Sequence, residues 1–323
     1  MLRSLLIYLS QAVWAKRLIM NLGVARRAAR RFVAGESLHQ AVQAVRALND
    51  AGMLATLDLL GEHTADAAAA RASAAQIIEV VNQIVESGVR SGVSIKLTQI
   101  GLKLDQTLAE ENLREILRAA QDPGVFVRID MEDSDWVDIT LGLYRKMRAE
   151  GLQNVGVVIQ SYLYRSEADV LALLAEGARS QSVRIRMVKG AYMEPPERAF
   201  PEKADVDAAY DRLADLMLHA SLAAPPAGGE AGPWPPIAAI ASQDARRIEF
   251  ARTHAAELGM AKEQVEFQML YGIRRDLQQQ LVADGYPVRI YVPFGREWYP
   301  YFMRRLAERP ANLWFFLSNL VRR

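Results

Sequence analysis

The sequence predicts an α/β fold, a (β/α)₈ TIM-type barrel behind an N-terminal helical extension. Three observations point there. Eight short apolar runs rich in β-forming residues recur through most of the chain. Stretches of helical periodicity, rich in Ala, Leu, Glu and Arg, separate them, which is the pattern of parallel strands joined by crossover helices. The first fifty residues break that alternation and read as helices alone, and 323 residues with 51% hydrophobic content suffice for one large core and a small extension.

In chain order, residues 1–50 form the helical segment, broken near Gly23 and Gly35, with Glu36 and Ser37 opening its last helix. Residues 51–323 form the barrel. Its strands are expected at 55–60 (ATLDLL), 93–97 (VSIKL), 125–131 (VFVRIDM), 155–160 (VGVVIQ), 183–188 (VRIRMV), 237–241 (IAAIA), 265–269 (VEFQM) and 288–294 (VRIYVPF). Several lack strict alternation, as expected of strands covered by helices on one side and packed inside on the other. IAAIA is the weakest of them, because alanine is a poor strand former. The Pro- and Gly-rich stretch 224–236 reads as an exposed loop.

Composition removes whole classes of function. With no cysteine there is no disulfide, thiolate metal site, iron–sulfur cluster or cysteine nucleophile. A net charge of +1 advertises no nucleic-acid partner. The apolar runs fall well short of the roughly 20 residues a spanning helix requires, so a cytoplasmic protein is expected, with any membrane contact peripheral on the inner face. Residues 1–46 nevertheless carry eight Lys or Arg against one acid, Glu36, together with Tyr8 and Trp14. Such a segment can lie on an anionic surface, or simply cover the barrel with its arginines solvated. No metal site is expected, since His39, His63, His219 and His254 form no HxH or HExxH motif.

In a barrel the polar residues at strand ends converge on the C-terminal mouth, where βα loops build active sites. Here they are Asp58, Glu62, Lys96, Asp130, Glu132, Gln160, Arg186, Lys189 and Tyr291. A charge inside a buried strand needs a partner, so the set as a whole points to a site rather than to loop trimming. Two guanidinium groups, Arg304 and Arg305, sit in YPYFMRRLAE and can clamp a carboxylate through paired hydrogen bonds. Neither GxGxxG nor a P-loop occurs, so a nucleotide cofactor would have to be held at the mouth, with RMVKGAY (186–192) a plausible contact. Residues alone also allow a Schiff-base lyase using Lys96 or Lys189, or a non-catalytic scaffold.

Over nearly the whole chain the sequence resembles the proline dehydrogenase family in its compact, monofunctional bacterial form. LDLLGE, IKLTQIG, VRIDMEDS, IQSYLYR, RMVKGAYMEP, EFQMLYGIR, IYVPFG and YFMRRLAE follow in the family's order. The resemblance implies FAD as cofactor, L-proline as substrate, hydride transfer from C5 to flavin N5, and a membrane quinone as final acceptor. It implies Asp130 and Arg186 as catalytic residues, and Lys96, Asp130, Tyr291, Tyr301, Arg304 and Arg305 around the substrate, with Glu62 as a gate pairing with Arg304. FAD contacts fall to Gln160, Arg186, Met187, Lys189, Gly190 and Ala191. After the sixth strand the family's usual threonine and histidine are replaced by Ser242 and Gln243, which keep a hydroxyl and an amide but no imidazole.

Overall fold

A computed structural model describes residues 9, 12–20, 23–61, 64–180, 183–224, 228–229 and 232–308. Eight parallel strands close into a barrel in the order β1 (Leu54–Leu59), β2 (Ser91–Ile95), β3 (Val127–Ile129), β4 (Val155–Gln160), β5 (Ile185–Val188), β8 (Ala238–Ala241), β9 (Val265–Leu270) and β10 (Val288–Phe294). The ring shuts where β10 pairs with β1, Arg289 opposite Leu54 and Phe294 opposite Leu59. The fold class is therefore the expected one, and β4 and β10 begin and end where the sequence puts them.

Two strands end two residues early. Lys96, read as part of the second strand, lies one residue beyond β2, because the chain turns at once, with Gln99 N donating to Lys96 O and Ile100 N to Leu97 O. Asp130 lies one residue beyond β3, although its N–H still donates to Ile95 O. β2 instead starts at Ser91, whose pairing with Ala55 outweighs the weak strand preference of Ser-Gly.

The crossover helices α4 (Ala67–Ser87), α5 (Gln106–Gln121), α6 (Val137–Ala149), α7 (Ser166–Ser180), α8 (Lys203–Leu222), α9 (Ala245–Glu257) and α10 (Arg275–Ala283) surround the barrel. Local chemistry fixes where several begin. Asp66 accepts from Ala69 N and Asp105 from Leu108 N, satisfying backbone donors that have no partner within the helix. A continuous apolar core lies between strands and helices, from Leu57, Val93 and Ile95 to Ile116, Leu213 and Leu281.

Before β1 come α1 (Val13–Met20), α2 (Gly23–Ala29) and α3 (Leu38–Asp50), and after β10 comes α11 (Trp298–Glu308). Ser37 opens α3 through a capping box with Gln40. Ala41, Val42 and Val45 of α3 join the main core, whereas Ala15, Ala25 and Phe32 pack with Trp298, Phe302 and Leu306 in a second cluster beside it. Two backbone bonds tie the segment to the barrel rim, Ala34 N to Pro293 O at 2.8 Å and Gly295 N to Gly35 O at 3.0 Å. Among the described residues no helix is long and apolar enough to cross a membrane.

The stretch expected to be an exposed loop at 224–236 is partly docked. Gly228–Gly229 and Gly232–Pro233 pair as a small antiparallel hairpin, β6 and β7. The Trp234 indole then donates to Gly124 O at 2.8 Å and its ring lies 5.9 Å from Phe126, closing the N-terminal end of the barrel.

Candidate active site

Side chains alternate along a strand, so Ser94, Arg128 with Asp130, Arg186, Glu266 with Gln268, and Arg289 with Tyr291 all turn to the same side, the barrel interior. Barrel interiors are ordinarily layered with branched apolar residues. This one holds a seam of charge. Lys96 Nζ lies 3.2 Å from Asp58 Oδ1 and 3.6 Å from Asp130 Oδ2. Tyr291 OH donates to Asp130 Oδ2 at 2.8 Å, and Arg186 Nη1 reaches Asp130 Oδ1 at 2.9 Å and Ser94 Oγ at 3.1 Å. Below them Arg186 Nε donates to Gln268 Oε1, Gln268 Nε2 to Glu266, and Glu266 takes a two-pronged bond from Arg289 at 2.9 and 3.0 Å.

Three carboxylates thus face three cations in an interleaved chain, the arrangement that makes buried charge tolerable. Burial pushes the Asp58 carboxyl above its ordinary range, Lys96 pulling the other way. Burial, together with Asp130 and Asp58, drives the Tyr291 phenol well above its usual value, so it stays a neutral donor. Deeper still, Arg128 is 1% exposed and gives Nη1 to Val157 O and Arg184 O, its guanidinium 5.0 Å over Phe126. Its room comes from Gly156, where a Cβ would stand 2.5 Å from Arg128 Nη1.

Of the residues named from sequence, Lys96, Asp130, Arg186 and Tyr291 are brought together here. Gln160 ends β4, buried, and gives its amide to Glu132 O at 2.8 Å, while Glu132 accepts from Thr98 N and Oγ1. Lys189 is held by Asp207 and Asp244, so its charge is already compensated by carboxylates. Gly190 has φ +117°, and a Cβ there would come within 2.3 Å of Tyr162, while Ala191 is exposed beside it. Buried Ser242 accepts from Asp244 N at 3.1 Å, and Gln243 follows it. Met187 differs from the others: one residue from Arg186, it turns outward by alternation into the core under the helices.

Tyr301 and Arg305 lie on α11, the guanidinium 5.1 Å over the phenol ring, with Arg304 half-buried beside them. Tyr291 packs against the cluster that contains Tyr301, which links the barrel seam to this helix. Glu62, the expected gate, lies outside the described residues. Sequence reading missed Ser94, Glu266, Gln268 and Arg289. The signal for them was present in the alternating triplets SIK, EFQ and RIY, which place two polar side chains on one side of the chain.

The donor set fits a flavin: a fixed cation (Arg186), a primary amide (Gln160) and a hydroxyl (Ser242) stand at or near the ends of neighbouring strands. Comparisons with known proteins bear on the same region. A family model described as "Proline dehydrogenase" matches residues 41–317. The chain is 43% identical over 298 residues to "Proline dehydrogenase" of Deinococcus radiodurans, covering 91% of this chain and 90% of that protein. It is 39% identical to "Proline dehydrogenase 1" of Bacillus subtilis strain 168 over the full length of both. Among solved structures it is similar to proline utilization A (PutA) from Bdellovibrio bacteriovorus, described as inactivated by N-propargylglycine, at TM-score 0.79 and 26% identity. That likeness covers 88% of this chain and 33% of the larger one.

Proposed function

This chain belongs to the proline dehydrogenase family, and from that premise we propose that it oxidises L-proline to Δ1-pyrroline-5-carboxylate with FAD as its resident cofactor, opening proline breakdown to glutamate. The observation that carries the reading is the cluster of Lys96, Asp130, Arg186 and Tyr291 at the C-terminal mouth of a closed barrel. When bound, FAD supplies the acceptor for the hydride leaving proline C5. Gln160, Arg186, Lys189, Gly190, Ala191 and Ser242 are the residues proposed to hold it, with Gln243 beside them, whereas Met187, its side chain turned outward, can offer only its backbone.

The chain's own residues bind and orient. Arg304 and Arg305 take the substrate carboxylate, far from the breaking bond, so they supply binding and alignment. Asp130 positions Arg186, Tyr291 and Lys96 together, and Arg186 offers a fixed positive charge where negative charge develops. Glu62 is proposed to close over the site by pairing with Arg304. A Schiff-base role for Lys96 is disfavoured, because its place between Asp58 and Asp130 suits an ammonium ion rather than a neutral amine.

Residues 1–50 are proposed as a helical segment on the catalytic barrel, 51–323. A quinone in the membrane is the proposed final acceptor for a cytoplasmic enzyme that meets the inner face peripherally. Cosedimentation with anionic vesicles, weakening as salt is added, tests that contact. The enzymatic reading is tested by the visible spectrum of the purified protein: flavin bands should bleach on addition of L-proline and leave the polypeptide on denaturation. A colourless protein, or flavin that proline does not reduce, would overturn it.

A further inference from the structure

Two histidines that form no linear motif meet across neighbouring helices at the end of the barrel away from the candidate active site. His219 lies in the last turn of α8 and His254 in the last turn of α9, with Asp215 one turn before His219. One ring nitrogen from each histidine and one Asp215 oxygen all lie within 4.8 Å of one another. We propose that Asp215, His219 and His254 form a binding site for a divalent transition metal ion of the zinc class, a staple between α8 and α9 separate from the proline site.

Hydrogen-bond chemistry is the first argument. His254 Nε2 lies 2.5 Å from Asp215 Oδ1, while its Nδ1 lies 3.2 Å from Glu257 Oε2. Both ring nitrogens therefore face carboxylate oxygens, which only accept, and a neutral imidazole has just one proton to offer. Both contacts are satisfied at once only if a second positive group, a proton or a metal ion, adds to the one ring proton. Without metal that group is a second ring proton. A metal ion replaces that proton and leaves Nδ1–H on Glu257, the carboxylate–histidine–metal relay that orients ligating imidazoles.

Spacing and field are the second. His219 Nδ1 lies 3.2 Å from Asp215 Oδ1 and donates to the Asp215 carbonyl oxygen at 3.0 Å, so an ion that takes this ring displaces that local hydrogen bond. The two helices end here, so the partial negative charges of both C-termini converge on the site. Phe250, stacked at 5.7 Å on His254, covers one side of the ring. Two imidazoles and one carboxylate suit zinc, nickel or copper rather than calcium or magnesium, which favour all-oxygen shells. Such an ion would fasten the helices on either side of the connection that carries β6, β7 and Trp234.

The test is calorimetric titration of tag-free, flavin-loaded protein with Zn²⁺ near neutral pH, in two buffers of different ionisation enthalpy. One ion should bind per chain with release of a proton, and at about 100-fold excess over Kd should raise Tm by roughly 5 °C. Glu257→Gln should weaken binding roughly 10- to 100-fold. His219→Gln with His254→Gln should abolish it and leave proline oxidation unchanged, whereas His39→Gln should bind as wild type. Absence of saturable binding, or equal binding by the wild type and the double variant, overturns the proposal. Lost flavin content in the double variant would also count against it, since these side chains lie outside the proline site.

Discussion

Arg305 is 8% exposed and already stacked on Tyr301, so its guanidinium is ordered before a substrate arrives. A preordered clamp contributes the same binding in the ground state and in the transition state. Arg305→Met should therefore raise the KM for proline about 10- to 150-fold, the equivalent of roughly 1.5 to 3 kcal/mol, with a much smaller change in kcat. Steady-state kinetics decide it, and an unchanged KM removes Arg305 from the clamp. Asp58 has a different signature. Its folded pKa lies above the ordinary 3.8, so the folded state holds this proton more tightly than the unfolded chain. Its contribution to stability is present below about 4 and is lost as pH rises through the raised value. Measured as wild type minus Asp58→Asn, the unfolding free energy should fall across that window, and a flat difference would show that Asp58 does not titrate as described. Lys96, Asp130, Arg186 and Tyr291 were legible because a charge in a strand is conspicuous. Ser94, Glu266, Gln268 and Arg289 were not, because alternation says which side chains face inward but not which of them stand level across a closed barrel.

At the scale of elements, the strands were readable to within a residue or two, and the misses have local causes: a turn that starts at Lys96, and a serine and glycine recruited into β2 by their neighbour β1. The docked Trp234 was hidden because a stretch rich in Pro and Gly looks like loop whether or not one aromatic within it finds a pocket. The join between the N-terminal helices and the barrel was also invisible in the sequence, yet it is narrow. At Gly272, between β9 and α10, φ is +73°, and a Cβ would stand 1.7 Å from Arg31 O, immediately after the turn that ends α2. Gly272→Ala must move one backbone or the other. It should destabilise the protein by about 1 to 3 kcal/mol and loosen residues 12–36 first. Hydrogen exchange that quickens there while β3 and β4 stay protected is the expected pattern, and uniform protection would contradict it.

For the whole molecule, the seam between β1 and β10 has a kinetic meaning. Arg289 Nη1 donates to Ala55 O across it, joining residues 234 positions apart. Closing so long a chain segment removes roughly 5 kcal/mol of chain entropy before its contacts can repay it, so pairing of β1 with β10 should come late and slowly. The charged interior is divided by that event: Asp58 arrives on one side of the seam and Tyr291 on the other, while Lys96 and Asp130 belong to the strands that follow β1. Until the ring shuts, the Lys96–Asp58, Arg186–Asp130 and Arg289–Glu266 pairs can form, but Tyr291 cannot reach Asp130 and the pocket has no closed wall. Refolding with FAD in solution should then proceed in two stages, most helical signal returning early and flavin fluorescence quenching only in the slowest phase. Quenching that keeps pace with the helical signal would mean that half a barrel already recognises the cofactor. If the order holds, a chain caught midway in refolding is colourless as well as inactive, and cofactor supply can act only on molecules whose two ends have already met.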